Sequence, residues 1–148
     1  MKKHFLMLLL TIFSLFMLIV IGAYVSAANF GAGCGIEWPT CNGSLLPQPT
    51  IAAVTEYLHR IFAALSALLL FITTAFFIKV TGISSVSTRL LVISSLIMVF
   101  QIILGAIVIF NTIPAELVAF HQGIALLIYG LIVGAAFYSS AKESVVKE

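Results

Sequence analysis

Residues 57–78 read YLHRIFAALSALLLFITTAFFI, and from Ile61 to Ile78 no side chain carries a charge. A helix rising 1.5 Å per residue needs about 20 residues to cross about 30 Å of hydrocarbon, which is close to the length of this stretch. Three further segments match it: Phe5–Ala27, Leu90–Phe110 and Leu117–Ser139. Backbone N–H and C=O groups in lipid must be satisfied within their own segment, so apolar runs of this length are read as helices. The composition agrees: 62% of the 148 residues are hydrophobic and 8% charged. A soluble domain of this size cannot hide that much apolar surface. The expected fold is an all-α membrane protein, one domain over residues 1–148 folded as a four-helix transmembrane up-down bundle.

Basic residues set the expected orientation. Lys2 and Lys3 precede the first span, Lys79 and Arg89 bracket the second connection, and Lys142 and Lys147 lie in the tail. The segment Asn29–Thr55 has no Lys or Arg, and neither does Asn111–Glu116. The positive-inside bias then puts both termini in the cytoplasm and those two connections outside. A net charge of +2 gives no reason to invoke nucleic acid. Val25-Ser26-Ala27 resembles a signal-peptide cleavage site, but the apolar run before it exceeds the roughly 7–15 residues of such a leader. It is therefore read as a span. With no Arg-rich, Ser-rich transit peptide, the expected location is the cell membrane of a bacterium or archaeon.

The connection over about 29–55 is the one long non-membrane segment. It contains Gly31-Ala-Gly-Cys34-Gly-Ile-Glu37-Trp38-Pro39-Thr-Cys41-Asn-Gly-Ser, then Pro47 and Pro49. Gly, Pro and Asn at this density favour a turn-rich loop. Both cysteines of the chain lie here, on the oxidising side by the charge bias. One reading is a structural staple worth about 2–3 kcal/mol; the other is a redox pair. The spacing is not that of covalent heme attachment or of thioredoxin-like chemistry. Trp38 suits either an interfacial anchor or a lid.

The second span opens Glu56-Tyr57-Leu58-His59-Arg60, three ionisable side chains at the head of a membrane helix. Such groups in lipid are costly and mark function by default, although an interfacial Glu–Arg pair beside a snorkelling histidine is the plain alternative. Glu56 lies on nearly the same helix face as His59, about 4.5 Å nearer the surface, and four residues from Arg60. The matching histidine is His121, early in the fourth span. In an up-down bundle the second and fourth helices are diagonal and run the same way. Neutral imidazole is a good iron ligand, so His59 and His121 are candidates to bind one heme from both sides. Arg60 would then meet a ligand carboxylate through its planar fork. Glu56 would act near the reacting carbon. His4 has no assigned role. Gly105, Gly123, Gly130 and Gly134 permit close approach of helices or of a flat ligand. Gln101 reads as interhelical glue or a pocket contact, and Glu116 as a favourable charge at a helix N-terminus.

Taken together, Cys34-Gly-Ile-Glu-Trp-Pro-Thr-Cys41-Asn-Gly, Glu56-Tyr-Leu-His59-Arg60, Gln101-Ile-Ile-Leu-Gly105 and Phe120-His121 resemble the N-terminal half of the heme A synthases. The resemblance spans almost the whole chain. It implies oxidation of the C8 methyl of heme O to the formyl group of heme A. It also implies His59 and His121 as axial ligands, Glu56 as the catalytic carboxylate, and a Cys34–Cys41 disulfide. Members of that family usually have eight helices in two repeats with two histidine pairs, whereas this chain has one repeat. A homodimer or higher homo-oligomer is therefore expected, since an even-span repeat keeps its orientation when copied. The alternative is a partner chain, a heme O synthase or another electron acceptor. Heme O is the implied substrate, and heme b a candidate permanent cofactor.

If both histidines ligate iron, no axial position is open to dioxygen. Oxidation would then run by stepwise electron removal with water as oxygen donor and Glu56 as stabiliser or base. Two other classes are compatible with the residues. A bis-histidine membrane cytochrome b would carry electrons and have no need of Glu56. A quinone-linked disulfide oxidoreductase would use the loop cysteines, but its usual second cysteine pair is missing.

Overall fold

Pro47 and Pro49 keep the chain extended up to Thr50, whose hydroxyl accepts the Ala53 N–H at 3.2 Å and so starts the second helix. The computed structural model describes residues 3–111 and 113–145. Lys2 and Lys147, two of the residues used for orientation, lie outside them. The elements are α1 (Lys3–Ala27), α2 (Ile51–Thr81), α3 (Val86–Phe110) and α4 (Ala115–Val145). All four are long and apolar enough to cross a membrane, and among the described residues there is no strand. The fold is an all-α membrane bundle.

The helices run past the bounds of 5–27, 57–78, 90–110 and 117–139 that hydropathy suggests. The largest differences are six residues each, at the end of α4, Val145 rather than Ser139, and at the start of α2, Ile51 rather than Tyr57, so the loop ends at 50 and not 55. Hydropathy reports where the hydrocarbon would be, whereas the hydrogen-bond ladder runs on until a cap stops it. The other end of α2 is closed by Gly82, at φ 75°, whose N–H returns to the Ile78 carbonyl. Glu56 is consequently more than a turn inside α2, not at its head.

Side-chain pairs fix an antiparallel order. Between α1 and α2, Thr11 bonds Thr73 at 2.9 Å and Ser14 bonds Ser66 at 2.7 Å. Between α2 and α3, Thr74 meets Ser95 at 2.9 Å and Thr81 meets Thr88 at 2.7 Å. Thr11, Thr74 and Thr81 also donate their hydroxyls to carbonyls of their own helices, those of Met7, Leu70 and Phe77. Each sequential pair of helices packs together and α4 closes on α1, while among the described residues no Cα atom of α1 comes within 8 Å of one in α3, nor one of α2 within 8 Å of one in α4.

The buried apolar cluster draws on Leu8 and Leu15, Leu70 and Phe77, Leu91 and Met98, and Ile128 and Ile132. These come from the middle of the bundle and from the end that carries the α2–α3 turn. His4 belongs to this end, its ring edge-on to Phe77 with centroids 5.9 Å apart. At the opposite end, under the long loop, this apolar cluster gives way to polar side chains. That is where both candidate histidines lie.

Candidate functional site

The loop is built as a lid over the first turns of α2. Cys34 and Cys41 form a disulfide with both residues fully buried. Asn42 N–H donates to the Cys34 carbonyl at 3.1 Å, which tightens the disulfide ring. Gly33 rests on the backbone of α2 so closely that a Cβ there would stand 2.4 Å from the Ala52 carbonyl carbon. Tyr57 donates its hydroxyl to the Leu45 carbonyl at 2.6 Å. Arg60 Nη1 donates to the carbonyls of Glu37 and Thr40, each at 2.8 Å. Trp38 is exposed on this lid.

Glu56, only 3% exposed, has both oxygens engaged. Oε2 accepts the Cys34 N–H at 2.8 Å, and Oε1 pairs with Arg60 Nη2 across one helical turn. The Glu56–Arg60 pair, the plain alternative in the sequence, is present, and the terminal nitrogens read as meeting a ligand carboxylate are given to Glu56 and the loop instead. The further partner of Glu56, the loop backbone at Cys34, is not visible in any sequence spacing. Arg60 gives both terminal nitrogens to the protein, which leaves Nε as its buried nitrogen without a hydrogen-bond partner.

His59 lies eight residues after the start of α2 and His121 six residues after the start of α4. At 1.5 Å per residue these are depths of about 12 and 9 Å from the same end of the bundle. Neighbouring helices about 8–10 Å apart put the diagonal pair about 11–14 Å apart, so two imidazoles can flank a planar ligand between them. Each histidine is half-buried, and its Nδ1 is buried with no hydrogen-bond partner. An unpaired buried polar atom costs about 1–3 kcal/mol, more than an ordinary packing histidine carries.

Neighbouring helices supply flat seats for the two rings. A Cβ on Gly22 of α1 would lie 2.9 Å from Cε1 of His59, and one on Gly105 of α3 would lie 3.1 Å from Cε1 of His121. One turn before Gly105, Gln101 donates Nε2 to the His121 carbonyl at 2.8 Å, while its buried Oε1 has no partner. Gln101 is therefore both interhelical glue and part of the histidine surroundings. Gly105 is read from the sequence as allowing close approach of a helix or of a flat ligand. Gly22 carries no sequence signal beyond being a glycine in an apolar run. Glu116 sits in the first turn of α4 as expected.

Among the described residues no three His, Cys, Asp or Glu side chains converge as a metal-ion cluster. The two-histidine arrangement is the donor set at this end. Unpaired imidazole nitrogens, glycine seats and polar neighbours suit a flat iron macrocycle carried between diagonal helices.

The chain is 34% identical over 122 residues to the heme A synthase of Bacillus licheniformis, covering 82% of this chain and 40% of that protein. It is 33% identical over 133 residues to the heme A synthase of Bacillus pumilus, covering 88% and 43%. A 55-residue stretch is 49% identical to a Thermus thermophilus protein named protoheme IX farnesyltransferase, covering 34% of this chain and 9% of that protein. No protein-family profile and no solved structure matches the chain. Fold and site define a four-helix membrane protein with a histidine pair beneath a disulfide-closed lid. With these relatives it belongs to the heme A synthase family, and it spans about two fifths of the length of the curated relatives it matches.

Proposed function

We propose that this chain acts as a heme A synthase, converting the C8 methyl of heme O to the formyl group of heme A. The observation that carries the proposal is the pair of seated imidazoles, His59 and His121, eight and six residues into diagonal helices. They are the residues that would hold a heme. A resident heme b would supply an iron that takes up and passes on single electrons. Arg60 Nε, without a protein partner, is the atom assigned to a heme carboxylate. Glu56 is assigned as the base that takes a proton from the attacking water. Its carboxylate is held one turn from His59 by Arg60 and the Cys34 N–H. Methyl plus water gives formyl plus four protons and four electrons, which pass to a membrane electron acceptor.

Both termini are assigned to the cytoplasm and the lid to the outside of a bacterial cell membrane, with Lys79 and Arg89 flanking the α2–α3 turn. The functional unit is assigned as a homodimer. Gly123 and Gly130 face open space on α4, which leaves a small-residue face for a second copy. The similarity to a protein named for heme farnesylation fits a place beside heme O supply.

The test is expression in a host that makes heme O, followed by extraction and mass analysis of the hemes. Heme A, or its hydroxymethyl precursor, is expected from the wild type. Glu56→Gln should retain heme and yield no oxidised product; full activity in that variant would remove Glu56 from the chemistry. A second reading, a bis-histidine electron carrier, draws on the engagement of both Glu56 oxygens within the protein. Bound heme with no oxidised product in the wild type would favour it.

A further inference from the structure

Five glycines lie inside the four helices: Gly22, Gly105, Gly123, Gly130 and Gly134. Gly123 and Gly130 have nothing near where a Cβ would be, and Gly134 would make only an ordinary contact with Leu90 at 3.6 Å. Gly22 and Gly105 differ from these in kind. Each is closed off by an imidazole, at 2.9 Å for His59 and 3.1 Å for His121, and in both cases the nearest atom is Cε1. Gly22 stands on α1 against a histidine of α2, and Gly105 on α3 against a histidine of α4. The bundle thus repeats one device twice: the first helix of each consecutive pair offers a glycine on which the histidine of the second lies.

A ligating histidine must hold its ring plane and the direction of its lone pair. The usual support is a hydrogen bond from the other ring nitrogen to a carboxylate or carbonyl. Neither histidine has that support here, because both Nδ1 atoms are buried without a partner. Contact with bare backbone is what restricts the rings. Alanine would relieve the roughly 0.5–1 kcal/mol that glycine costs inside a helix. It would also place a methyl several tenths of an ångström too close to each ring.

We propose that Gly22 and Gly105 are positioning residues for the two histidines, fixing each imidazole by contact where other sites use a hydrogen bond. The inference rests on the reading that His59 and His121 bind heme, and the test separates the two. Purified chain in nanodiscs is titrated with hemin, and affinity is read together with the low-spin electron paramagnetic resonance signal, which reports ring orientation. Gly22→Ala and Gly105→Ala should each weaken hemin binding about 10–100-fold, as loss of other ligand supports does, and should shift the low-spin g values. Gly134→Ala, which would make only an ordinary contact with Leu90 at 3.6 Å, should match wild type within about twofold.

His59→Gly with imidazole added to the buffer supplies the control against misfolding. With no tethered ring to clash, adding Gly22→Ala to that background should cost no further affinity. Unchanged binding if His59→Ala and His121→Ala are made would overturn the heme reading itself. Loss of binding in those two, with wild-type affinity and g values in both glycine variants, would overturn the positioning role alone. A further loss from Gly22→Ala in the His59→Gly background would also overturn it.

Discussion

Arg60→Met removes the guanidinium and leaves a side chain of similar length. In the structure it strips three bonds at once: those to the Glu37 and Thr40 carbonyls and the pair with Glu56. The two carbonyls belong to exposed or half-exposed loop residues and can turn to water, so they contribute little to the cost. Glu56 cannot do the same. It is 3% exposed and would keep only the Cys34 N–H. Removing one partner of a buried ion pair costs about 3–5 kcal/mol, and the lower figure suits a pair whose arginine is partly exposed. That cost falls on docking of the lid, because the apolar cluster lies in the other part of the bundle. At 1.4 kcal/mol per factor of ten, about 3 kcal/mol raises the open fraction about 100-fold. Cys34 and Cys41 are 0% exposed, so a soluble phosphine reaches the disulfide only through opening. Disulfide reduction, followed by mass tagging of the freed thiols, should be about 100-fold faster in Arg60→Met. Arg60→Lys, which keeps the charge without the fork, should fall between the two. Equal rates in wild type and Arg60→Met would refute the claim that this ion pair latches the lid.

Gly33→Ala should undock the lid even with Arg60 intact, since its methyl would meet the α2 backbone 2.4 Å away; the same reduction assay should show acceleration of at least tenfold, whereas Gly82→Ala should leave the rate unchanged. Thr11 and Thr73 are both fully buried and bonded across α1 and α2 at 2.9 Å. Either single change to valine should lower unfolding free energy in detergent by about 0.6–1.7 kcal/mol, and the double change should cost less than the two singles summed. Gln101→Leu removes the bond to the His121 carbonyl; it should cost about 1 kcal/mol of stability and move the heme absorption maximum, since the helix carrying His121 loses its tie to α3.

The spans were legible because each is an almost unbroken apolar run, and the α2–α3 and α3–α4 neighbours follow from short connections. Helix ends were less so. Hydropathy faded at Tyr57, yet α2 continues back to Ile51 because the cap at Thr50, seven residues further out, sets its start. The Pro-x-Pro-Thr pattern before it was the available signal. In the site, His59, His121 and the Glu56–Arg60 pair could be read from residue type and helical spacing. The Cys34 N–H bond to Glu56 could not, since it depends on the path of a loop with no periodicity. Nor could the hydroxyl pairs Thr11–Thr73 and Ser14–Ser66, because a hydroxyl inside a span looks the same whether it bonds its own helix or a neighbour. Gly22 was hidden for a similar reason: a glycine's role is decided by what lies against it.

The measurement that bears most directly on the account is the spin state and stoichiometry of heme bound to the purified chain, compared with His59→Ala and His121→Ala. The account predicts one low-spin, six-coordinate heme per chain in the wild type, and loss of the low-spin signal in either variant. A low-spin heme that survives both substitutions would contradict it, because the ligands would then lie elsewhere in the chain.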